Sequence, residues 1–499
     1  MVDYLCAVGK KNKHRILEAV LVEDYAAEGK SLAKVDGKVV FIEGAVPGDV
    51  VNVQLGKSKK DWAEGRAVFF HEYSAQRTTP FCQHFGICGG CKWQMLPYEK
   101  QLEYKQREVE QNLKRIGRIA LPNMLPIVGA AQTKYYRNKL EFTFSNKRYL
   151  TREELLKRDA ESEKAAELSE GSKVSHAGGD LEGAFGGALG FHVPKIFDKA
   201  INIETCYLQE EPSNAIRNFV REFTKQHQLS YYDIRAHEGW LRTMIVRLTT
   251  TAELMINITF GYDDEPKRKL LFDALLEKFP EITTLLYTIN PKWNDSIYDL
   301  QPQTYFGKGF ITEKLEDFVF KIGAKSFFQT NTKQGEALYK ITRDFAKLTG
   351  NEILYDLYCG TGSIGIFCSK GAKQIIGVEA VEEAIEDAKQ NALLNGLSNT
   401  QFYAGDVINI CNDEFFAAHG RPDVIITDPP RVGMHEKLVK KLLDIAAPRI
   451  VYVSCNSATQ ARDLQLLNEK YEVEQLQPVD MFPHTHHIEN VAALILRNS

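Results

Sequence analysis

Long apolar runs are the first thing that this sequence lacks. Its 499 residues are 44% hydrophobic and 26% charged, and no apolar run approaches the roughly 20 residues that a membrane-spanning helix needs. The segment from Met1 to Leu17 also lacks the apolar core of a secretory signal peptide. We therefore expect a protein of the cytoplasm without a membrane partner, and we take it to be a monomer.

A surplus of positive charge is absent as well, because 62 Lys and Arg face 66 Asp and Glu and the formal net charge is −4. A nucleic-acid binder nevertheless needs only a local basic surface. Residues 91–148 provide one, with 12 Lys and Arg against 5 Asp and Glu. This segment is a first candidate for contact with phosphate groups.

The length and the changes of pattern along the chain predict three domains. Short alternating runs broken by Gly, Pro and Asp predict a small β-barrel, and a charged helix follows it from Pro97 to Gly117. Strand-like and helical runs then alternate as in an α+β domain, and the last third reads as buried parallel strands and helices, a doubly wound α/β domain. The predicted boundaries are 1–72, 73–325 and 326–499.

One part of the middle domain has almost no large apolar side chains. Residues 158–189 are rich in Ala, Gly, Ser and Glu, a composition that cannot offset the entropy lost on ordering. We predict a mobile insertion here.

The strand ILYDLYC leads into a glycine-rich turn and then a helix. Gly360, Gly362 and Gly365 give the pattern G-x-G-x-x-G, which lets the backbone approach a nucleotide-like ligand at the carboxyl end of a strand. Glu379 follows at the end of the next strand, where a carboxylate can accept hydrogen bonds from ribose hydroxyls. This pattern fits either NAD or S-adenosylmethionine.

Two further carboxylates end neighbouring strands and favour methyl transfer. Asp406 follows QFYAG, and Asp428 opens the loop DPPR after DVIIT. The carboxyl ends of parallel strands form the rim where ligands bind, and a D-P-P loop after the fourth strand points to a methyltransferase. The alternative is that both carboxylates only cap helices or begin turns.

Cys455 and Glu489 are the candidate catalytic pair. Cys455 ends the strand IVYVS before a helix whose dipole favours thiolate, although a buried cysteine can also be structural. Carbon 5 of uracil is a poor nucleophile, and addition of a thiolate to carbon 6 activates it. Glu489 could then remove the carbon 5 proton. The nearby His484, His486 and His487 lack a fourth ligand, and a polar loop is the favoured interpretation over a metal site.

Disulfides are not expected in a reducing compartment, so the spacing of the nine cysteines indicates other roles. Cys82, Cys88 and Cys91 form a C-x5-C-x2-C run with glycines, and Cys206 is a candidate fourth ligand. Four thiolates suit either tetrahedral zinc or an iron–sulfur cluster, and the spacing alone does not choose between them.

Four segments, GTGSIGI, TDPPRVG, VSCNSATQARDL and DMFPHTHHIENV, resemble in order the catalytic motifs of the RNA uracil-5-methyltransferase family. The resemblance covers nearly the whole chain. It implies Cys455 as nucleophile, Glu489 as base and S-adenosylmethionine as cofactor. With the glycine loop it gives these cofactor contacts: Gln329, Tyr358, Gly360, Gly362, Ser363, Glu379, Asp406 and Asp428.

The cysteine pattern is similar to the 4Fe-4S site of tRNA and ribosomal RNA members of this family, which favours a 4Fe-4S cluster on Cys82, Cys88, Cys91 and Cys206. The first domain resembles the TRAM module, an OB-like RNA-binding barrel, and would turn Lys57, Lys59 and Lys60 toward phosphate. The implied fold is therefore a TRAM barrel, an α+β domain with an iron–sulfur site and a Rossmann-like methyltransferase domain.

The function implied is methylation of a specific uridine in RNA. The combination of barrel and cysteines favours 23S ribosomal RNA, with the T-loop uridine of tRNA as the alternative. Two other classes stay open: an RNA-binding protein without catalysis, and a methyltransferase acting on an amine. The second usually carries an aromatic residue after the prolines, where this chain has Arg431.

Overall fold

The computed structural model describes residues 15–121, 123–151, 153–157 and 187–497. Residues 1–14 and most of the predicted insertion, 158–186, lie outside this part of the chain. Within it, no helix is long and apolar enough to cross a membrane.

The N-terminal sheet has six strands in the order β1-β5-β6-β4-β3-β2, with β4 and β6 parallel. Strand β1 also contacts β3, so the sheet curls around a core that includes Val40, Ile42, Val51 and Val53. Alternation of apolar and polar residues produces this single buried face. The strands are β1 (Ile16–Leu21), β2 (Asp24–Tyr25), β3 (Ser31–Val35), β4 (Lys38–Glu43), β5 (Val50–Ser58) and β6 (Trp62–Glu72), with a 3-10 turn at Ala27–Gly29.

After the cysteine run comes helix α1 (Tyr98–Asn112), which continues as a π-helical turn, Leu113–Gly117. The middle sheet has seven strands in the order β13-β12-β11-β10-β7-β8-β9 and agrees with the α+β prediction. Its elements are β7 (Lys139–Ser145), β8 (Ala188–Val193), β9 (Ile196–Asn202), α2 (Ser213–Gln226), β10 (Leu241–Leu248), β11 (Leu254–Phe260), α3 (Glu265–Lys278), β12 (Thr284–Ile289) and β13 (Gln303–Gly307).

The end of the predicted insertion needs correction. Ala188 and Leu189 begin β8 and are fully buried, because β8 pairs with both β7 and β9. Their small and apolar side chains suit a strand in the middle of a sheet.

The C-terminal sheet has seven strands in the order β18-β17-β16-β19-β20-β22-β21. The first five are parallel, and β22 runs antiparallel between β20 and β21. Its elements, after the hairpin β14 (Ile311–Leu315) and β15 (Phe318–Ile322), are α4 (Thr332–Ala346), β16 (Ile353–Leu357), α5 (Ser363–Cys368), a 3-10 turn at Ser369–Gly371, β17 (Gln374–Glu379), α6 (Glu382–Leu394), β18 (Thr400–Ala404), α7 (Val407–Ile410), α8 (Asp413–His419), β19 (Val424–Thr427), α9 (Glu436–Ile445), β20 (Arg449–Ser454), α10 (Ser457–Leu467), β21 (Tyr471–Val479) and β22 (Glu489–Leu496).

Helices cover both faces of this sheet, as a doubly wound fold requires. One apolar core joins the sheet to α4, α5 and α6, and a second joins it to α1, α9 and α10. Burial on both faces explains why the parallel strands are nearly continuous apolar runs. The three-domain division stays a prediction. Helix α1, which the sequence placed in the middle region, packs against the C-terminal sheet.

A fully buried ion pair fixes α1 to the C-terminal segment. Lys105 Nζ lies 2.6 Å from Asp480 Oδ1, and both side chains are inaccessible to solvent. The Tyr98 hydroxyl donates to the other oxygen of Asp480 at 2.8 Å. Burial lowers the pKa of Lys105, and the partner carboxylate opposes that shift.

Replacing Lys105 with Met should lower the free energy of unfolding by about 3 kcal/mol, since it leaves the Asp480 carboxylate buried without its cation. Lys100→Met is the matched control on the same helix, because Lys100 pairs with Glu103 at the surface and such pairs contribute little. Thermal unfolding should distinguish the two variants. Equal midpoints would show that the buried pair stabilises the protein no more than the surface pair does. Adding Asp480→Asn to Lys105→Met should recover part of the lost free energy of unfolding.

Candidate active site

The glycine-rich turn after β16 depends on its glycines. Gly362 has a φ of 75°, and a Cβ there would lie 2.9 Å from Phe402 and 3.0 Å from Ala388. A Cβ on Gly365 would lie 3.0 Å from a carboxylate oxygen of Asp356, which accepts the Gly365 N–H at 2.8 Å. The turn therefore lies directly against the sheet, with its backbone free to face a ligand.

Asp356 is a site residue that sequence reasoning missed. It is fully enclosed in the middle of β16, and burial raises the pKa of its carboxyl to about 7, with Asp428 and Glu379 adding to the shift. The only signal was a lone acid inside the apolar run ILYDLYC. Its hydrogen bond to Gly365 supports the turn from below.

Glu379 is held against the same turn. Its two carboxylate oxygens accept the backbone N–H groups of Gly360, at 3.2 Å, and of Val381, at 3.0 Å. A Cβ added to Gly360 would meet nothing within 4 Å, so there is open space in front of the turn. An oriented carboxylate beside open space at the strand ends fits the ribose of a nucleoside cofactor.

Gln329 and Ser363 both lie close to the hydroxyl group of Tyr339. Ser363 Oγ lies 2.9 Å from the Tyr339 hydroxyl, and Gln329 also approaches it with its side chain. Tyr339, on α4, is buried and was not predicted from the sequence. Tyr358, with a φ of 62°, turns the chain out of β16 and lies near Glu379 and Asp406.

Asp406 performs the capping role that was the alternative interpretation. Its side chain accepts the backbone N–H of Ile408 at 2.8 Å at the start of α7, and the residue is exposed. A contact between Asp406 and a cofactor remains a prediction.

Cys455 and Glu489 lie side by side at the strand ends. The register pairs Ser454, the last residue of β20, with Asn490 of β22, so Cys455 directly after β20 lies opposite Glu489, the first residue of β22. Cys455 is partly exposed, whereas Glu489 is 8% exposed. The structure thus brings together the two residues that the sequence paired.

The protonation of this pair differs from the expectation of a thiolate. Burial, together with the carboxylates of Glu489 and Asp428, raises the pKa of Cys455 to about 11. Desolvation and the mutual repulsion of Glu489 and Asp428 raise the pKa of Glu489, and burial raises that of Asp428 to about 7. The dipole of α10 is outweighed because three acids share a desolvated space.

Arg431 is the positive charge that lowers the pKa of both Cys455 and Glu489. Its backbone oxygen accepts hydrogen bonds from the side chains of Asn456, at 3.1 Å, and Thr459, at 3.2 Å. The same loop is tied to α10 by the Met434 N–H, which donates to Asp463 at 2.8 Å. The DPPR loop is therefore fixed beside Cys455.

The four predicted ligand cysteines line one cavity together with apolar side chains. Burial raises the pKa of Cys88 to about 12 and that of Cys91 to about 11. Within the described ranges, no three His, Cys, Asp or Glu side chains converge closely enough to hold a metal ion. The cysteines are thus gathered, without coordinating geometry, in a pocket whose soft donors fit an iron–sulfur cluster.

His484 links two distant segments through its backbone. Its backbone N–H donates to Gln101 Oε1 at 2.8 Å, and its oxygen accepts the N–H groups of Lys92 and Trp93. The cysteine segment and the segment before Glu489 are therefore bonded to each other.

Lys57, Lys59 and Lys60 are all exposed at the hairpin between β5 and β6. The Nζ atoms of Lys57 and Lys59 lie 5.4 and 5.5 Å from the centroid of the Trp62 ring. This turn presents three cations to solvent and lies far along the chain from the catalytic pair.

Models of known protein families match both the N-terminal and the C-terminal part of the chain. A family model described as tRNA (uracil-5-)-methyltransferase matches residues 301–497, and a TRAM domain model matches residues 17–68. An uncharacterized RNA methyltransferase of Bacteroides thetaiotaomicron is 52% identical over 475 residues, 95% of this chain and 100% of that protein. One of Porphyromonas gingivalis is 48% identical over 482 residues, 96% of this chain and 99% of that protein.

A solved structure is similar over the same extent. The tRNA (uracil-54, C5)-methyltransferase of Pyrococcus abyssi, in complex with S-adenosyl-L-homocysteine, is 26% identical, covers 96% of this chain and 100% of its own, and has a TM-score of 0.70. The predicted TRAM domain and methyltransferase fold are confirmed. The chain belongs to the RNA uracil-5-methyltransferase family, whose enzymes depend on S-adenosylmethionine.

Proposed function

We propose that this protein methylates carbon 5 of a specific uridine in RNA through a covalent bond between Cys455 and the base. The observation that carries the proposal is the position of Cys455 and Glu489 opposite each other at the ends of β20 and β22, with Asp428 and Arg431 beside them. A methyltransferase acting on an amine needs no thiol at this position.

The residues of the chain divide the chemistry between them. The Cys455 sulfur forms a bond to carbon 6 of uracil, and the electron pair released onto the ring makes carbon 5 nucleophilic. S-adenosylmethionine, when bound, supplies an electrophilic methyl group on a sulfonium. Glu489 then takes the proton from carbon 5, the double bond re-forms, and the bond between sulfur and carbon 6 breaks.

The charges of the site support these roles. A raised pKa makes the Glu489 carboxylate a stronger base, which suits removal of a proton from carbon. Arg431 favours the thiolate of Cys455 against the two acids. Binding of S-adenosylmethionine is proposed for Gln329, Tyr358, Glu379 and Asp428 with the glycine turn, with Ser363 and Asp406 as weaker contacts.

The RNA is proposed to be ribosomal RNA, in keeping with a TRAM domain and a cysteine cluster in one chain. The tRNA T-loop uridine is the second candidate, because the similar Pyrococcus abyssi protein is a tRNA (uracil-54, C5)-methyltransferase. Measuring 5-methyluridine in ribosomal RNA and tRNA from a strain without the gene distinguishes the two. We further propose a 4Fe-4S cluster on the four cysteines and phosphate contacts by the hairpin lysines.

RNA containing 5-fluorouridine should trap the wild-type protein as a covalent adduct, because fluorine at carbon 5 cannot leave as a proton. Cys455→Ala should form no adduct. Glu489→Gln should accumulate an adduct even with normal RNA, since addition proceeds while elimination slows. Denaturing gels measure all three, and Cys411→Ala, a buried cysteine away from the site, is the control. Turnover by Cys455→Ala would contradict the covalent mechanism.

The alkylation rate of Cys455 should rise with pH toward a midpoint near 11, because the thiol is protonated at neutral pH. Glu489→Gln removes a negative neighbour and should lower this midpoint, and one unit changes the thiolate fraction about tenfold. Arg431→Ala should raise it. Mass spectrometry of the Cys455 peptide after brief iodoacetamide treatment measures the midpoint. The exposed Glu472 provides the control Glu472→Gln, and equal midpoints in both glutamine variants would place the Glu489 charge away from the thiol.

Protein purified without oxygen should be brown and hold about four irons. Cys206→Ser should lower the iron content, whereas Cys368→Ser, at a buried position outside the cysteine pocket, should not. Elemental analysis gives the answer. Zinc in place of iron would overturn the cluster assignment and leave the methyl-transfer proposal intact.

A further inference from the structure

Exposed aromatic side chains are concentrated at one end of the middle sheet. Trp293 is 75% exposed and Tyr298 is 74% exposed, and both lie in the segment after β12. The register pairs the start of β10 with the end of β11, and the end of β11 with the end of β12. Residues around 237 and 293 therefore meet at the same end of the sheet.

Trp293 is presented on a rigid support. Its ring stacks on His237 with centroids 4.7 Å apart and an interplanar angle of 10°. The fully buried Arg242 donates to the backbone oxygens of Asn290, at 2.7 Å, and Asn294, at 2.9 Å, so the loop is wrapped around a guanidinium. The chain holds the loop in place, yet leaves the large apolar ring at its tip in water.

The His237 loop is equally fixed. Asp233 accepts the backbone N–H groups of Arg235, at 2.7 Å, and Ala236, at 3.1 Å, and the His237 N–H donates back to the Asp233 oxygen. Arg235 in turn lies over the exposed ring of Phe197, 4.9 Å from its centroid. Phe197, His237 and Trp293 are thus connected through short contacts.

The row continues to the active site. Lys325 Nζ donates to the Tyr298 backbone oxygen at 3.0 Å. Two residues later, the Phe327 oxygen accepts the Thr361 hydroxyl of the glycine turn at 3.5 Å. We name Phe197, His237, Trp293 and Tyr298 the aromatic row, and residues 325–327 connect its Tyr298 end to the glycine turn.

The geometry points to the aromatic row as a binding surface for a single-stranded part of the RNA substrate, with bases stacked on Trp293 and Tyr298. Separate rings suit successive bases, because every base has a π-face. Phe197 lies beside Arg235, and Trp293 lies beside His237. Two nearby carboxylates are paired with cations, Asp198 with Arg235 and Asp299 with Lys292. The inference rests on the proposed RNA substrate.

This pairing of charges has a consequence for salt dependence. A surface whose cations are neutralised by carboxylates releases few counterions when RNA binds, so stacking there should be insensitive to salt. The Lys57, Lys59 and Lys60 hairpin is the opposite case, because its cations are exposed and are proposed to contact phosphate. The contributions of the two surfaces to RNA affinity should therefore differ in their dependence on salt concentration.

The test measures dissociation constants of the full-length protein for a 20-nucleotide unstructured, uridine-rich RNA at 50 and 300 mM KCl. Trp293→Ala and Tyr298→Ala should each weaken binding about tenfold at both salt concentrations. Trp293→Phe keeps a ring and should bind nearly as the wild type does. Phe306→Ala, at an exposed ring near the opposite end of β12, should have no effect. The triple lysine-to-alanine variant at 57, 59 and 60 should lose affinity mainly at low salt.

Wild-type affinity in Trp293→Ala and Tyr298→Ala at both salt concentrations would overturn the inference. So would a loss that vanishes at 300 mM KCl, because it would show an electrostatic contact. The 5-fluorouridine adduct separates the two proposals. If the wild type forms the adduct but Trp293→Ala and Tyr298→Ala bind RNA with unchanged affinity, only the aromatic row is rejected. Absence of any adduct with the wild type rejects the proposed function.

Discussion

The proposed catalytic carboxylate, Glu489, depends on a clamp between α1 and residues 480–488, the segment that precedes it. Glu489 follows a segment without regular secondary structure, and that segment is held at its start by the Lys105–Asp480 pair and in its middle by Gln101 and His484. Lys105 and Gln101 both belong to α1, more than 370 residues earlier in the chain. Because Asp480 is fully buried, the segment cannot shift without exposing an unpaired charge to an apolar interior.

The same clamp connects the cysteine pocket to the active site. Lys92 and Trp93, directly after Cys91, donate their backbone N–H groups to the His484 oxygen, and the ring of Phe81 packs edge-on against His484. A change in the path of the cysteine segment is therefore transmitted to the residues before Glu489. This contact would give the proposed 4Fe-4S cluster a structural role in a reaction that involves no net redox change.

Local patterns in the sequence were enough to place the glycine turn, the DPPR loop and Cys455 at strand ends, since each lies in a short motif. The alternating runs of the first domain predicted the barrel, which the TRAM match supports. Asp356, Tyr339 and Lys105 were missed because their roles arise from burial against distant elements. Strand β21 was missed because the Glu and Gln residues of YEVEQLQPV interrupt its apolar pattern, although the strand packs between β22 and residues 124–128. The sequence placed Asp406 at the end of a strand, but it could not decide whether its carboxylate contacts a cofactor or caps a helix. In the structure one of its oxygens caps α7.

The balance of charge explains why S-adenosylmethionine fits this site better than NAD, which the glycine pattern alone did not decide. Burial raises the pKa of Asp356 and Asp428 to about 7, and that of Glu489 also rises. Arg431 is the cation that opposes these acids at the catalytic pair. A sulfonium would bring positive charge to a desolvated group of carboxylates, whereas a pyrophosphate would add negative charge to it. The acids that oppose thiolate formation in the free protein are thus the groups that favour a cationic methyl donor.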